Sequence, residues 1–325
     1  MKEYFSPKDI AVGIVLFHPD EARFRQCLDS ILSQSERVYI FENAETADRF
    51  ETDERIVFWG DRENRGLAHA LNRLLERAKE DGFRWMVTMD QDSVMPPGLI
   101  EAYAKKIAQS QKAHWASLGI LCPQVIDRRR AYLQVKTKPE EEYVAKCITA
   151  ASCTFIPAWE QVGRFDEWLF VDLVDNEFCK RLQVCGYPIL RLNRWVLDQE
   201  FGKIEPKSER VQRFWLRIAK LTGNPNFAKF SYKKYVSPMR VYYTNRNIIY
   251  VNRKLKLYGQ VGYESYHCKS YPGFLISFSL PSILRAQQKW TVTKSVVRGI
   301  WDGVRHPAEP WQAEECGTHE TNSDH

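Results

Sequence analysis

Short apolar runs alternate with segments of helical spacing over residues 9–90, and this alternation constrains the fold more than any other feature of the sequence. Four β-rich apolar runs predict buried strands, at 9–17, 37–43, 55–60 and 83–90. Two segments between them repeat apolar residues along one helical stripe, at 20–35 and 66–82, and Asp81-Gly82 closes the second. Strands that alternate with helices predict an α/β fold with a largely parallel sheet.

Polar residues follow three of these strands, as His18-Pro19, Glu42-Asn43 and Asp90-Gln91-Asp92. Sheets of this kind bind ligands outside the carboxyl ends of their strands. Because the carboxyl ends of parallel strands share one edge of the sheet, we expect these residues to line a single rim.

The rest of the chain divides by composition into a second α/β part, a basic region and a polar tail. Further strands are predicted within 117–126, 146–159 and 187–202, and a helix over 174–186 ends at Gly186. Helical spacing continues through the basic, aromatic region from about residue 203 to residue 306. Residues 307–325 are polar and aperiodic, which predicts a disordered tail.

The net charge of +6 hides a strong asymmetry along the chain. Residues 203–305 hold 20 Lys and Arg against 4 Asp and Glu, whereas the remainder holds 27 against 37. A basic region beside an acidic one indicates an anionic partner, and a membrane surface, a nucleic acid and an anionic substrate all fit. Neither a helix-turn-helix nor a zinc spacing accompanies the basic region, which makes nucleic acid the weaker alternative.

Cysteine usage and hydropathy bear on the compartment. The eight cysteines include no C-x-x-C pair, so zinc spacing is absent and we expect reduced thiols in a cytosolic protein. The polar opening MKEYFSPKDI predicts no signal peptide. Apolar stretches reach about a dozen residues, as at 273–284, whereas a membrane-spanning helix needs roughly 20, so no transmembrane anchor is expected.

Asp90 and Asp92 form a D-x-D pair at the exit of the fourth predicted strand. Mg²⁺ and Mn²⁺ prefer oxygen ligands, usually one or two carboxylates together with substrate phosphates. A strand end carries such carboxylates on a rigid support, so the pair is a candidate metal and diphosphate site. Taken alone, a solvated turn with an Asp helix cap also explains the motif.

Asn64 and Gly66 stand at the start of the second predicted helix, and Asn72 lies two turns further on. Backbone N–H groups at a helix N-terminus attract phosphate and similar anions. An ordinary Asn-capped helix explains the same residues, so the motif becomes informative only beside the D-x-D pair.

Asp172, Asp175 and Glu177 cluster at the front of the helix predicted over 174–186. Acids near a helix N-terminus are favoured electrostatically, which accounts for the cluster without any activity. The functional interpretation is a carboxylate base that takes a proton from an attacking hydroxyl.

The chain resembles family-two glycosyltransferases over roughly residues 9–305. The motifs that carry the resemblance come in the family's order and are FHPD, FEN, NRGLAHALN, MVTMDQDSVMPPGLI, GRFDEWLFVDLVDNEFCKRLQVCGY and RVYYTNRN. They look most like the bacterial rhamnosyltransferase branch, in which LDQDS and F-I-D-x-V-D-x-E-F/W are characteristic. The resemblance implies a GT-A fold, a Rossmann-like mixed sheet flanked by helices, followed here by a basic helical region.

The resemblance also implies a division of labour along the chain. Residues 1–202 would form the catalytic domain, with a nucleotide-sugar half over about 1–117 and an acceptor half over about 118–202. Residues 203–306 would contact the acceptor or a membrane.

Residue roles follow from the same resemblance. The residues that match the nucleotide-sugar site are Phe17, His18, Glu42, Asn43, Asn64, Gly66, Asn72, Asp90 and Gln91. Asp90 and Asp92 match the metal motif, and Mg²⁺ or Mn²⁺ is the implied cofactor. Asp175 matches the catalytic base with Asp172 beside it, and Arg181 matches a helix arginine for which we expect a structural role.

Two positions depart from the family pattern. The family commonly has a metal-binding His shortly after the strand that follows the base, where this chain has Gln199 between Asp198 and Glu200. Either the metal is held more weakly or Asp198 substitutes. Glu42 replaces the usual Asp, which keeps the charge on a longer arm.

The expected reaction is an inverting transfer of a sugar, above all L-rhamnose from dTDP-L-rhamnose, to a hydroxyl of a cell-surface polysaccharide or lipid-linked glycan precursor. A galactofuranosyl or other hexosyl donor is the alternative within the family. A catalytically inactive sugar-binding scaffold is the alternative outside it: Gln199 favours it slightly, and the retained Asp90, Asp92 and Asp175 argue against it.

The expected partners are a nucleotide-sugar donor, a glycan or lipid-linked acceptor and an anionic membrane surface, but no nucleic acid. The expected location is cytoplasmic, with peripheral attachment to the inner face of the plasma membrane.

Overall fold

A computed structural model describes residues 5–44, 53–112, 118–127, 138–199, 204–223, 225–261 and 270–313. The strands are β1 (Ile10–Leu16), β2 (Val38–Glu42), β3 (Ile56–Gly60), β4 (Trp85–Asp90), β5 (Ile120–Ile126), β6 (Glu141–Val144), β7 (Ser152–Phe155), β8 (Ile189–Asp198), β9 (Ile204–Pro206) and β10 (Tyr232–Lys234). The helices are α1 (Glu21–Leu32), α2 (Leu67–Glu80), α3 (Leu99–Lys112), α4 (Ile156–Gln161), α5 (Val174–Val184), α6 (Glu209–Thr222), α7 (Pro238–Lys254), α8 (Tyr271–Phe274), α9 (Leu280–Arg285) and α10 (Lys289–Arg305). A π-helical turn, Leu275–Ser279, joins α8 to α9, and 3-10 turns span Pro7–Asp9, Pro225–Ser231 and Lys256–Tyr258.

The first eight strands form one mixed sheet in the order β3-β2-β1-β4-β7-β5-β8-β6. The first four strands of this order are parallel neighbours, whereas β7 runs antiparallel between β4 and β5. Strand β8 is parallel to β5, and β6 lies antiparallel at the edge. The carboxyl ends of β1, β2, β4 and β8 therefore meet at one edge of the sheet, as the strand exits predicted.

The predicted strands and helices over residues 9–90 are all present, each within a few residues of its expected bounds. Their burial explains the pattern: β1, β2 and β4 are covered on both faces, so nearly every residue in them is apolar. Helices α1 and α2 pack on this sheet through Phe24 and Leu74, both inaccessible to solvent. Strand β6 was not predicted, because its sequence EEYV carries only a weak alternation at an exposed edge.

The basic region is helical, as its spacing predicts, and α10 lies along α7 at close range. An added Cβ at Gly299 would lie 2.5 Å from the carbonyl oxygen of Tyr242, and one at Gly303 would lie 2.5 Å from that of Arg246. Glycine is therefore required at both positions of this contact. The two helices run parallel, since 299 faces 242 and 303 faces 246.

The segment that follows α10 corrects the prediction of a tail disordered from residue 307. The N–H of Trp311 donates to the carbonyl of Lys254 at 2.9 Å, and the N–H of Ala313 donates to the Tyr258 hydroxyl at 3.1 Å. The aromatic ring of Trp311 packs on Tyr258, which gives this polar stretch an apolar anchor. Residues 314–325 lie outside the described residues.

The thiol prediction is correct for Cys27, Cys122, Cys147, Cys153 and Cys179, which are free. It is wrong for Cys185, which is disulfide-bonded. In the part of the chain that the structure describes, no helix combines the length and apolar character needed to cross a bilayer.

Candidate active site

The exits of β1 and β4 are joined by the side chain of Gln91. Its Oε1 accepts from the N–H of Phe17 at 2.7 Å, and its Nε2 donates to the Phe17 carbonyl at 2.9 Å. This pair of bonds extends the β1–β4 contact beyond the last ladder residues. The Phe17 ring remains 41% exposed and lies edge-on to His18 at 4.4 Å, so these two rings are available to a flat ligand such as a base.

A network of amide side chains orders the loop that precedes α2. The Oδ1 of Asn43 accepts from the N–H of Arg65 at 3.1 Å, and the Oδ1 of Asn64 accepts from the N–H of Gly66 at 3.1 Å. The next N–H, that of Leu67, donates to the carbonyl of Phe170 at 2.7 Å. These three N–H groups are engaged within the protein, and the contact of Asn64 and Gly66 with the nucleotide sugar stays a prediction.

Gly66 is required where the loop meets the second half of the sheet domain. Its φ of +94° is a conformation that favours glycine, and an added Cβ would lie 2.8 Å from the Phe170 carbonyl oxygen and side chain. The nucleotide-sugar motif and the segment before α5 are therefore in direct contact, although about a hundred residues separate them in sequence.

The side chain of Asn72 makes all of its hydrogen bonds at this contact. Its Nδ2 donates to the Phe165 carbonyl at 3.0 Å and to Glu167 Oε1 at 2.9 Å. Its Oδ1 accepts from the indole of Trp159 at 3.1 Å and from the N–H of Phe165 at 3.0 Å. Both donors and both lone pairs are used at 3% exposure, so Asn72 positions the neighbouring segment and has no hydrogen-bonding capacity left for a ligand.

Asp90 and Gln199 meet at the exit edge of the sheet. The Gln199 Nε2 donates to Asp90 Oδ2 at 2.9 Å, and its Oε1 accepts from the Ser93 hydroxyl. Gln199 thus lies beside Asp90, the position expected for the residue that replaces the family's histidine. Its amide nitrogen faces the carboxylate, which ties the end of β8 to the end of β4.

The environment of Asp90 is rich in negative charge. Its pKa is raised to about 6, first by burial and then by the charges of Asp92 and Asp175, while Arg240 and the bond from Gln199 act in the opposite direction. The influence of Asp175 on Asp90 brings together the two acidic motifs that the sequence separates by 85 positions.

The carboxylates at this edge of the sheet suit a divalent cation that is also bound by the phosphate oxygens of a substrate. Asp92 is exposed and Asp90 partly buried, and both carry hard oxygen donors. Among the described residues, no cluster of three or more His, Cys, Asp or Glu side chains could hold a metal ion by protein ligands alone. The residues therefore fit a metal completed by substrate phosphates, and they do not form a closed metal cage.

Asp175 lies in the first turn of α5, opposite the strand exits. It lines a small cavity together with Cys147, Thr149, Phe178 and other apolar neighbours. Its pKa is raised to about 6 by burial and by the charge of Asp172, while the N–H of Asn176 and the charge of Lys146 favour its ionised form. A carboxylate with this pKa is ionised at neutral pH and still basic enough to accept a proton.

Asp172 is held by the basic helical region. Its φ is +63°, and its carbonyl oxygen accepts from Asn247 Nδ2 at 2.8 Å. Its carboxylate accepts from the Thr244 hydroxyl at 3.3 Å and lies 3.8 Å from the Arg240 guanidinium. Three side chains of α7 thus fix the strained turn that precedes Asp175.

Arg240 is the site residue that sequence reasoning missed. It stands at the first turn of α7, within the motif RVYYTNRN, and faces the carboxylates of Asp172 and Asp90 with a side chain that is 61% exposed. Within that motif the sequence gives no sign of a role for this arginine. Only its placement against two acids marks it.

Glu177 and Arg181 have the structural role expected of Arg181. They form a buried pair at 2.6 Å with 0% and 1% exposure, and Arg181 also donates to the carbonyls of Val162 and Arg164. Lys254 of α7 reaches the same Glu177 at 2.7 Å and Asp166 at 2.7 Å. The pair is therefore a tie between α5, the preceding loop and the helical region.

One family model matches the part of the chain that contains the strand exits. Residues 12–139 match the family model described as Glycosyl transferase family 2. The matched stretch contains the rim residues from Phe17 to Asp92 and ends before Asp175. Together with the mixed sheet order, it confirms the GT-A fold class, and it supports the expected family and a glycosyltransferase as the enzyme class. A search of curated protein sequences gives no match.

Solved structures of similar architecture are distant in sequence. One is the crystal structure of GalNAc-T7 with UDP, GalNAc and Mn²⁺, with 11% identity and a TM-score of 0.47 over 86% of this chain and 57% of that one. This chain thus spans little more than half the length of that protein. Another is the mannosyltransferase PcManGT from Pyrobaculum calidifontis in complex with GDP-Man and Mn²⁺, with 15% identity and a TM-score of 0.46 over 91% of this chain and 89% of that one.

Proposed function

We propose that this chain is an inverting, metal-dependent glycosyltransferase that moves a sugar from a nucleoside diphosphate to a hydroxyl group. The observation that carries the proposal is the convergence of the two acidic motifs: the charge of Asp175 raises the pKa of Asp90, and Arg240, which lies 3.8 Å from Asp172, acts on Asp90 as well. A single displacement requires one site for the departing diphosphate and one base for the entering hydroxyl. In this proposal the motif at the end of β4 supplies the first and the motif at the start of α5 supplies the second, on two sides of one cleft.

The donor side of the cleft binds through the strand exits. Phe17 and His18 offer ring faces to the base, and Glu42 and Asn43 lie at the next exit along the sheet. Asp90 and Asp92 would hold Mg²⁺ or Mn²⁺, which when bound neutralises charge on the diphosphate as its bond to the sugar breaks. Gln199 keeps Asp90 oriented through its amide, and it donates a hydrogen bond where a histidine would be a ligand.

The acceptor side provides the base. Asp175 takes the proton of the acceptor hydroxyl, and the oxygen attacks the anomeric carbon in line with the departing phosphate oxygen. Asp172 raises the proton affinity of Asp175 by its charge and is itself held by α7. No covalent intermediate is needed, since one displacement inverts the anomeric centre.

Arg240 completes the donor side in this proposal. Its guanidinium faces Asp172 and Asp90 across the cleft and is mostly exposed, so it can turn to a phosphate oxygen when the diphosphate enters. A cation at this point opposes the charge that develops on the leaving group.

The donor sugar and acceptor follow from the sequence resemblance. L-Rhamnose from dTDP-L-rhamnose is the proposed donor, with a galactofuranosyl or other hexosyl nucleotide as the alternative. The proposed acceptor is a cell-surface polysaccharide or a lipid-linked glycan precursor. Attachment to the inner face of the plasma membrane belongs to the same proposal, because a lipid-linked acceptor is presented at that surface.

A nucleotide-sugar panel tests the proposal. Each nucleotide sugar is added with and without Mn²⁺, and the thermal shift and the slow hydrolysis of the donor are measured. We expect dTDP-L-rhamnose to give the largest metal-dependent shift. A larger shift with another nucleotide sugar would reassign the donor, and no shift or hydrolysis with any of them would overturn the proposal.

The variant Asp92→Ala tests the metal role separately. Donor binding by this variant should lose its dependence on Mn²⁺, because a carboxylate that bridges metal to protein is gone. Asp29→Ala, an exposed acid on α1, is the matched control and should keep the dependence. An unchanged metal response in Asp92→Ala would remove Asp92 from the site.

A further inference from the structure

Helix α10 presents a row of apolar side chains to solvent. Trp290, Val297, Trp301 and Val304 are 81%, 61%, 55% and 55% exposed. Their spacing of seven, four and three residues puts them along one side of the helix. Two large indoles and two valines in a row on one exposed side form a patch that water solvates poorly.

The orientation of this row is set by the opposite face of α10. Val292, Val296, Gly299 and Gly303 are buried, and the two glycines leave no room for a Cβ against the main chain of α7. The apolar row therefore cannot turn inward without separating the two helices. Its exposure is a consequence of packing on α7.

A second apolar row lies on the segment immediately before α10. Ile276, Leu280 and Leu284 are spaced four residues apart and are 67%, 49% and 63% exposed. The other side of this segment is committed to α7, because Phe274 packs on Ile248 and the Ser279 hydroxyl donates to Asn245 at 2.8 Å. Leu284 precedes Trp290 by six residues, so the two rows adjoin at the turn between their helices.

Cations border the row on α10. Lys289, Lys294, Arg298 and Arg305 are exposed, and Arg305 lies over the Trp301 ring with its guanidinium carbon 3.7 Å from the centroid. The one acid of the helix, Asp302, accepts from the Tyr242 hydroxyl at 2.7 Å and is turned toward α7. The exposed side of α10 thus combines indoles, aliphatic groups and positive charge.

We propose that this surface, which we call the α10 face (Ile276, Leu280, Leu284, Trp290, Lys294, Val297, Trp301 and Val304), docks on an anionic lipid bilayer. Helices of this kind lie in the plane of the membrane, with aromatic and aliphatic groups at the acyl boundary and Lys and Arg among the headgroups. Residues 203–305 hold 20 Lys and Arg against 4 Asp and Glu. Anionic lipid headgroups would neutralise this excess of positive charge.

Charge also decides between a bilayer and a second copy of the chain. In a symmetric dimer through this face, the Lys and Arg side chains that border it would lie opposite one another, and like charges across an interface oppose association. A bilayer with anionic lipids satisfies the same cations. The α10 face is therefore assigned to lipid.

The first turn of α10 lies at the same end of the helical region as Arg240. Because α10 runs parallel to α7, Trp290 and Arg240 stand at corresponding ends of the two helices, and Val241 packs in one cluster with Val292. A docked molecule would thus hold Arg240 and the acids it faces near the membrane surface. This last step rests on the proposed function, in which membrane attachment was inferred from a lipid-linked acceptor, whereas docking is inferred here from the α10 face alone.

Vesicle flotation of the full chain tests the docking. The vesicles are phosphatidylcholine alone, and phosphatidylcholine with phosphatidylglycerol in equal parts. We expect salt-sensitive flotation with the anionic vesicles and little with the neutral ones. Lys294→Glu should weaken anionic binding by more than roughly fivefold, the factor for loss of a single charge, because it reverses the charge. The double variant Trp290→Ser, Trp301→Ser should weaken it by roughly tenfold or more.

Matched controls replace a lysine and an aromatic residue at other places on the surface. Lys8→Glu replaces an exposed lysine at the sheet end of the molecule, and Tyr143→Ser removes a 63% exposed aromatic from β6; both should bind as the parent does. Retained nucleotide-sugar thermal shifts in all variants would separate a failure of docking from a failure of the proposed reaction.

Three outcomes would overturn the assignment. They are no flotation of the parent with anionic vesicles, flotation of the double tryptophan variant at the parent's level, and a lipid-free dimer that the tryptophan variant converts to monomer. The last would assign the α10 face to a second copy of the chain.

Discussion

The acidic pair at the end of β4 and the acidic cluster at the start of α5 are held in place by different physical means. On the sheet side, Asp90 stands at the end of a strand whose register is set by main-chain pairing with β1 over six residue pairs. In the second motif, Asp175 follows a strained turn at Asp172 that is fixed by side chains of α7. Asp90 is therefore positioned by its backbone pairing, whereas the position of Asp175, the proposed base, depends on the packing of a helix distant in sequence.

This difference changes the meaning of the basic region. Composition alone sets residues 203–306 apart from the catalytic sheet, yet Arg240, Thr244 and Asn247 contact the turn that presents the base. Through α7 the helical region thus belongs to the candidate site, and through α10 it exposes the α10 face.

The largest expected effect is a loss of turnover without a loss of donor binding, and it distinguishes the proposed base from the proposed donor site. Asp175→Asn should reduce turnover by roughly 10²–10⁴-fold, the usual contribution of a general base, while nucleotide-sugar binding is retained. Single-turnover kinetics and thermal shifts with the donor measure the two quantities independently. Asp29→Asn on α1 is the control for a lost surface carboxylate. Loss of donor binding in Asp175→Asn would move this residue to the donor side and remove the distinction.

The next effect tests whether the helical region holds the base side. Lys254→Met removes the cation that joins Glu177, at 0% exposure, to Asp166. It should lower the free energy of unfolding by about 3 kcal/mol, because Glu177 then keeps only Arg181 to balance a buried charge. Urea denaturation measures this change. The exposed Lys294→Met should change stability by less than about 0.5 kcal/mol, and an equal effect of the two variants would show that the tie is unimportant.

The smallest expected effect is a pH-dependent difference in the free energy of unfolding between the parent and Asp175→Asn. The pKa of Asp175 is about 6 in the folded chain against an ordinary value of 3.8, so the native state binds the proton more tightly. Its contribution to stability is complete below pH 3.8 and is lost as pH rises through 6. Asp175→Asn should therefore be more stable than the parent by about 1–3 kcal/mol at neutral pH, with the difference vanishing near the lower limit.

Unfolding curves of parent and variant across this pH range measure the difference, and a constant or inverted difference would contradict it. In the same range, turnover of the parent should fall as pH drops below about 6, since a protonated Asp175 cannot act as the base. Stability and activity thus move in opposite directions at this one carboxylate.

The sequence-based account of the site was strongest where a residue's role is local. The D-x-D acids follow directly from a buried strand, and the position of Asp175 follows from the start of a helix. For amide residues it did not predict the contacts that the structure shows: hydrogen bonds within the protein engage Asn72 and the loop around Gly66, and their contact with the donor stays a prediction. An amide can bind a ligand or a backbone equally well, and its choice depends on neighbours remote in sequence.

By itself the sequence determined the α/β alternation, the single rim of strand exits and the charge asymmetry. These are properties of local periodicity and composition, and parallel strands necessarily bring their carboxyl ends to one edge. Only the tertiary structure decided that Gln91 hydrogen-bonds to Phe17, 74 positions away, and Asn72 to Phe165, 93 positions away. It also decided that Arg240 faces the acids. It also decided that two tryptophans of α10 point to solvent, because tight glycine packing on α7 leaves the helix no other orientation.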